Sequence, residues 1–307
     1  MPQAIILRRR RLGRTSTNGI VAASERGIKV VRSWRARDKP ETAPSHVFRW
    51  GCTSYLDFPN TGSVVVNPAD KISWCNNKKE SRLQLQAAGV PVPMTWDTGH
   101  FISHHFNRQG ISRFVVRPRV HAQGRQLWYG DYDACRNVIL QQSIFDGYVS
   151  KLVDKVAEYR VFVCQGRAVW VAQKTPANPD AIAWNVNQGG RFDNVRWGEW
   201  KLPIIKAALH AAQVSGIDFC GVDVMEDGEG NPYVLELNSA PSQTSPYRQS
   251  CVAKAFDYII DNGKEHFPFP ERFEGWRDVI HPAIWRALSF RAGTRAPSLP
   301  TVSRAPG

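Results

Sequence analysis

The stretch that most constrains how this chain folds is a pair of short runs in its C-terminal third. Gly221-Val222-Asp223-Val224-Met225 and Tyr233-Val234-Leu235-Glu236-Leu237-Asn238 flank Glu226-Asp227-Gly228-Glu229-Gly230-Asn231-Pro232. Two β-forming runs joined by Asp, Gly, Asn and Pro read as an antiparallel hairpin. Side chains alternate faces along a strand, so Glu236 and Asn238 point the same way. Pairing Val224 with Leu235 would set Asp223 directly across from Glu236, and three oxygen-bearing side chains would converge on one face. Two acids in that position repel each other unless a cation lies between them. Carboxylates and an amide, with no His or Cys, are the ligands magnesium prefers, and magnesium also takes phosphate oxygens. The bland alternative is two acids on a solvated sheet face. The apolar Val222, Val224, Leu235 and Leu237 on the other face speak against it, because they mark strands that are at least half-buried.

At 307 residues the chain can bury two or three subdomains. Its net charge of +13 is the strongest compositional deviation. Such an excess attracts nucleic acid, an anionic membrane or a polyanionic substrate. The arginines cluster at 8–11, 32–37 and in the tail (Arg291, Arg295, Arg304). A solubilising surface explains them; nucleic-acid contact is the sharper reading, but no helix-turn-helix, zinc-finger or RNP-type motif supports it. No run approaches the roughly 18 apolar residues of a membrane helix, so no membrane partner is expected. The arginines of Met1 to Leu12 follow a short apolar stretch, the reverse of a secretory signal. The six cysteines are scattered without a C-x-x-C pair, which argues against zinc or redox chemistry and for buried thiols. A cytoplasmic location is expected.

Residues 1–75 alternate β-like runs (4–7, 28–31, 47–50 and 63–66) with loops and one helical piece at 18–25, the pattern of a small α/β layer with a parallel sheet. A helix is expected from Lys78 until Gly89 and Pro91 stop it. Strands are expected at 114–117, 149–153, 160–164 and 168–172, and helices at 203–215 and 250–260. Residues 291–307 read as a disordered basic tail.

The run Glu236-Leu237-Asn238-Ser239-Ala240-Pro241-Ser242-Gln243-Thr244, preceded by Asp223, resembles the metal-binding signature of ATP-grasp ligases. It is closest to the RimK-like glutamate ligases, with some similarity to the D-alanine–D-alanine ligases. The resemblance implies an α/β (α+β) ATP-grasp fold, in which two α+β subdomains clasp ATP behind a small N-terminal α/β domain. Those subdomains would be 76–147, with a phosphate flap, and 148–290, with the metal site. The resemblance also implies two magnesium ions, with manganese as a substitute. Glu236 would bridge the ions, while Asp223 and Asn238 would each hold one.

Further positions follow the same family order. Lys78 resembles the helix-start lysine that reaches the nucleotide phosphates. Arg117 stands where the family has a phosphate-binding lysine, a departure that keeps the positive charge. Gln123 and Gly124 lie in the loop that corresponds to the flap, which here has a single glycine. Residues 148–153 resemble the hinge strand that receives adenine through its backbone, with Lys151 near the base and Val153 among the contacts. Glu158 falls where an acid meets the ribose hydroxyls. Arg160 falls where an acyl phosphate or substrate carboxylate is bound, Lys174 at a phosphate, and Asn185 near the γ-phosphate. Glu158-x-Arg160, and Gly221 in place of an arginine of the D-alanine ligases, favour the RimK-like branch. The resemblance covers residues 76–262.

It implies an enzyme that activates a carboxylate as an acyl phosphate and joins it to an amine, on small-molecule or peptide substrates. Ligation to a thiol on the same fold is an alternative. So is a degenerate ATP-grasp binding module on a basic, nucleic-acid-associated scaffold, for which Arg117 and the glycine-poor flap speak. A dimer is compatible with the sequence. His104, His105 and His121 could assist proton transfer but read first as structural or solvated, and Arg49 to Gly51, Tyr55 and Asp57 are candidates for substrate contact, with no one of them singled out.

Overall fold

In the computed structural model, residues 4–9, 14–33, 35, 38, 40–54, 62–103, 110–119, 126–178, 181–184, 189–264 and 275–285 are described. The first sheet is parallel, built from β1 (Ile5–Arg8), β2 (Lys29–Arg32), β3 (His46–Trp50) and β4 (Val64–Val66) in the order β2-β1-β3-β4, with α1 (Arg14–Ala23) crossing from β1 to β2. β1 is buried at all four positions, as a central parallel strand covered on both faces must be. Ile6, Ile20 and Phe48 enter the main core; Leu7, Val31 and Val47 form a small cluster on the other side.

Two helices follow, α2 (Ala69–Asn76) and α3 (Lys78–Ala87), with the Asn77 side chain accepting from the Glu80 N–H between them. The second sheet is antiparallel, in the order β5-β8-β6-β7: β5 (Thr95–Asp97), β6 (Phe114–Pro118), β7 (Trp128–Gly130) and β8 (Gly147–Lys151). α4 (Thr98–Ser103) and α5 (Tyr132–Gln141) pack on it over a separate core of Phe101, Phe114, Val116, Ile139 and Val149. β8 hydrogen-bonds to β5 and β6, so it lies in the second sheet, and the chain changes sheet only after Lys151.

The third sheet is also antiparallel, in the order β11-β10-β9-β12-β13. Its strands are β9 (Lys155–Cys164), β10 (Arg167–Thr175), β11 (Arg191–Asn194), β12 (Phe219–Asp227) and β13 (Pro232–Asn238). α6 (Leu202–Ser215) covers it, burying Ile204, Ile205 and Leu209, each contributing about 1.5–3 kcal/mol. Gly216, at φ +65°, ends the helix in the left-handed cap that glycine adopts without strain. α7 (Pro246–Asn262) packs on α1, and Phe256 stacks on Phe48 at 4.1 Å, tying the first sheet to the third. A short α8 (Trp276–Val279) leads into a bridge between Ala168 and Ile280. All six cysteines are free and buried. Among the described residues no helix is long and apolar enough to cross a membrane. The tail at 291–307 lies outside the described residues.

The expected hairpin is β12–β13, with one difference in register. Asp223 pairs with Glu236 and Gly221 with Asn238, but Val224 pairs with Val234 and not with Leu235. A bulge at Leu235 removes it from the ladder. Its carbonyl accepts instead from Arg82 Nη2 on α3.

Candidate active site

A cavity of about 1030 Å³ opens between the second and third sheets. Ten cationic side chains and four carboxylates line it, so its field favours a ligand carrying several negative charges.

The adjacency of β9, β12 and β13 arranges its floor. Register sets Arg160 beside Asp223, and Asp223 beside Glu236. Arg160 donates from Nε and Nη2 to the two Asp223 carboxylate oxygens at 2.6 and 2.7 Å. Lys78, at the first turn of α3, reaches Glu236 from across the cleft. Asn238 Nδ2 donates to Glu236 Oε1 at 3.0 Å. One step toward the linker between the two sheets, Glu158 accepts from Lys174 and, at 2.7 Å, from Lys155. Lys174 Nζ lies 3.9 Å from Asp223, linking the two groups. Glu158, Lys174 and Asp223 are 3, 6 and 4% exposed, so these charges interact largely unscreened by water.

The electrostatic consequences follow from burial and pairing. Burial pushes the Glu236 carboxyl up, but Lys78, the Asn238 amide and Arg160 together outweigh it and hold the group well below the usual carboxylate range. Burial likewise opposes the charge on Arg160, and the Asp223 carboxylate more than compensates. Lys155 is lowered by burial in spite of Glu158. Arg117 is lowered by burial and by Arg82, against the opposing pull of Tyr148, Glu236 and Glu158. Asp223, Glu236 and Asn238 form an all-oxygen donor set, which fits a hard divalent cation.

At the other end of the cavity, Lys151 ends β8, and Leu152 and Val153 lead from it toward β9. The Lys151 and Leu152 N–H groups donate to the carbonyls of Met94 and Arg113 at 2.8 and 2.9 Å. The Val153 N–H donates to no described residue. Val115, Leu152, Met225 and Leu235 give this end an apolar lining.

The cavity therefore gathers Lys78, Arg117, Lys151, Val153, Glu158, Arg160, Lys174, Asp223, Glu236 and Asn238. Gln123, Gly124 and Asn185, like His104, His105, His121, Tyr55 and Asp57, lie outside the described residues. Lys78 contacts a carboxylate where a role at phosphate was expected, and Glu158 holds two lysines. Arg82, Lys155, Phe192 and Arg248 also line the cavity and were not anticipated. Arg82 was discoverable, since it lies four residues after Lys78 on the same helix face. Phe192 lies under three cations, Arg160 at 4.6 Å, Lys174 at 5.4 Å and Arg248 at 5.9 Å. Nothing local in the sequence marks it.

The model of the RimK-like ATP-grasp domain matches residues 101–259. A probable alpha-L-glutamate ligase of Vibrio vulnificus (strain YJ016) is 27% identical over 205 residues, covering 62% of this chain and 64% of the relative's length. Among solved structures, the ATP-grasp ligase PsnB complexed with minimal precursor, Mg and ADP is similar with a TM-score of 0.58 at 14% identity, over 83% of this chain and 99% of that one. The D-alanine–D-alanine ligase of Bacillus anthracis complexed with ATP gives 0.59 at 14% identity, over 87% and 98%. The two structural likenesses speak to the fold, and the family model spans more than half of the chain. On that match, the chain belongs to the RimK-like ATP-grasp family.

Proposed function

We propose that this protein is an ATP-dependent ligase that joins a carboxylate to an amine through an acyl phosphate, releasing ADP and phosphate. The observation that carries this reading is the convergence of Asp223, Glu236 and Asn238 on the floor of a cleft otherwise dominated by cations. A nucleoside triphosphate is the ligand chemistry such a field suits.

In this reading the base lies at the apolar end, where the Val153 N–H is available to a ring nitrogen and Lys151 stands close by. Glu158 accepts from the ribose hydroxyls while restraining Lys174 and Lys155. Lys78, Arg117 and Lys174 neutralise the phosphates, with Gln123, Gly124 and Asn185 completing the phosphate site. Asp223, Glu236 and Asn238 would hold two magnesium ions, which when bound neutralise phosphate charge and fix its oxygens. A substrate carboxylate oxygen attacks the γ-phosphorus and the bond to ADP breaks. The amine nitrogen then attacks the acyl carbon, phosphate leaves with the C–O bonding pair, and the nitrogen loses a proton. Arg160, already oriented by Asp223, offers its charge to the acyl phosphate. The substrates are of the amino-acid, peptide or protein-terminus class.

The test is release of ADP and phosphate from ATP with magnesium and a panel of amino acids and peptides, beside Glu236→Ala. Substrate-stimulated turnover that the substitution abolishes is expected. Turnover that survives it, or a wild-type protein that binds no Mg-ATP, would overturn the reading.

A further inference from the structure

Arg8 closes β1, an inner strand of the first sheet, and is only 6% exposed. Register sets it level with Arg32 on β2 and Trp50 on β3. Ile6 enters the main core together with Ile20 of α1, so alternation puts Arg8 on the face that α1 covers. Among the described residues its side chain meets no acceptor, and its Nε is sealed from solvent. Trp50 beside it likewise buries an indole N–H without an acceptor. Burial opposes the positive form of Arg8, as do Arg32, Arg14 and Arg35, while Asp38 favours it. Asp38 already accepts from both Nε and Nη2 of Arg32. Arginine cannot shed its charge, so four cations surround one carboxylate that is already engaged.

The cluster stands where an open parallel sheet receives a ligand. The chain runs from β1 outward to β2 and then returns past β1 to β3, so strand order reverses between β1 and β3. Ligands bind at such a reversal, beyond the carboxyl ends of the strands. Arg8 and Trp50 are the last residues of the two strands that flank it. α1 begins at Arg14 with no acid in its first turn, so the positive end of its dipole adds to the field at the same edge. Arg8, Arg14, Arg32 and Trp50 do not line the cleft between the second and third sheets. An anion held here is therefore separate from any ligand of that cleft.

We propose that the carboxyl edge of β1 and β3, with Arg8 and the N-terminus of α1, binds a phosphate dianion, either inorganic phosphate or the terminal group of a phosphomonoester. The charge count favours phosphate over carboxylate. Arg8, Arg14, Arg32 and Arg35 against Asp38 leave three surplus positive charges, of which a dianion offsets two and a carboxylate one. The phosphate oxygens also diverge, so they can accept from Arg8 and from the first N–H groups of α1 together. The burial of Arg8 favours an end group over a chain. A terminal phosphate enters such an edge, whereas a phosphodiester is flanked by sugars on both sides. The site stands apart from the ligase reading and does not depend on it.

Calorimetric titration with inorganic phosphate, methyl phosphate and acetate at fixed ionic strength tests this. It compares wild type, Arg8→Met, Arg14→Met and Arg117→Met, the last of which removes a cation of the cleft. Wild type is expected to bind phosphate saturably and acetate far more weakly. Arg8→Met should weaken phosphate about tenfold to a hundredfold, the range for losing a hydrogen bond to a charged group. Arg14→Met should weaken it about twofold to fivefold, as for an exposed charge, and Arg117→Met should leave it unchanged. Methyl phosphate binding as tightly as phosphate would point to an ester end group as the natural occupant, and phosphate alone to the free ion. No phosphate bound by wild type, equal affinity in Arg8→Met, or a loss confined to Arg117→Met would each overturn the proposal. So would acetate binding as tightly as phosphate, or an oligonucleotide without terminal phosphates competing as well as methyl phosphate. If Arg8→Met does not fold, Arg14→Met decides, since its side chain is exposed, and unchanged affinity there would overturn the proposal.

Discussion

Arg160 and Asp223 face each other from opposed positions on β9 and β12 and are joined by two parallel bonds of 2.6 and 2.7 Å. Two-point pairing of this kind fixes the orientation of both groups. It holds the Asp223 carboxylate beside Glu236 and fixes the direction in which Arg160 presents its charge. Arg160→Met leaves Asp223 buried, with Lys174 at 3.9 Å as the nearest compensation. A stability loss of roughly 3 kcal/mol is expected from urea denaturation. Magnesium should recover more of that loss in the variant than it adds to wild type. Equal magnesium effects would show that Asp223 does not meet the ion.

Glu158 is a buried carboxylate holding two lysines, Lys155 and Lys174. Glu158→Gln keeps its size but leaves two buried ammonium groups facing each other, with Asp223 at 3.9 Å from Lys174 as the remaining counter-charge. Stability should fall by roughly 3–5 kcal/mol, measured by chemical denaturation. A change under about 1 kcal/mol, the range of surface pairs, would mean the site is wetter than its burial implies.

The Glu236 carboxyl is pushed up by burial and held down, more strongly, by Lys78, Asn238 and Arg160. A carboxyl depressed in the fold adds stability above its unfolded pKa of about 4.3 and loses it as pH falls toward the folded value. Lys78→Met removes the strongest of the lowering influences, so acid unfolding should begin at higher pH. Circular dichroism followed from neutral to strongly acid pH checks this. An unchanged acid midpoint would assign the depression to the other partners.

Gly221 pairs with Asn238, and a Cβ at position 221 would come within 2.8 Å of the Pro241 Cβ and 3.2 Å of the Arg160 Cδ. Gly221→Ala must shift Pro241 or the strand, at a cost of about 1–3 kcal/mol. The variant's melting temperature and Mg-nucleotide affinity should both fall. Normal values for both would mean that the Pro241 segment yields freely. The same crowding explains why an arginine has no room here.

Much of the third sheet was legible because strand alternation is a local rule. Asp223, Glu236 and Asn238 could be assigned to one face from spacing alone, and the structure pairs Asp223 with Glu236. The bulge at Leu235 was not legible, since the extra residue is tied to Arg82, which lies 153 positions away in the chain. The small subdomain was harder to read. β5 and β7 have three residues each, too few for a period to show.

The sequence by itself determined the hairpin and its acid–acid–amide face, the helix opened by Asn77 and Lys78, and the basic character of the chain, since each depends on neighbours within a few residues. Only the tertiary structure decided which charge meets which. Lys78 finds Glu236 across 158 positions, Arg160 finds Asp223 across 63, and Arg248 comes to rest over Trp170 with its Nε unpaired among the described residues. The physical reason is that pattern encodes the face a side chain takes, whereas the partner on that face is set by how separate sheets and helices pack around a shared cleft.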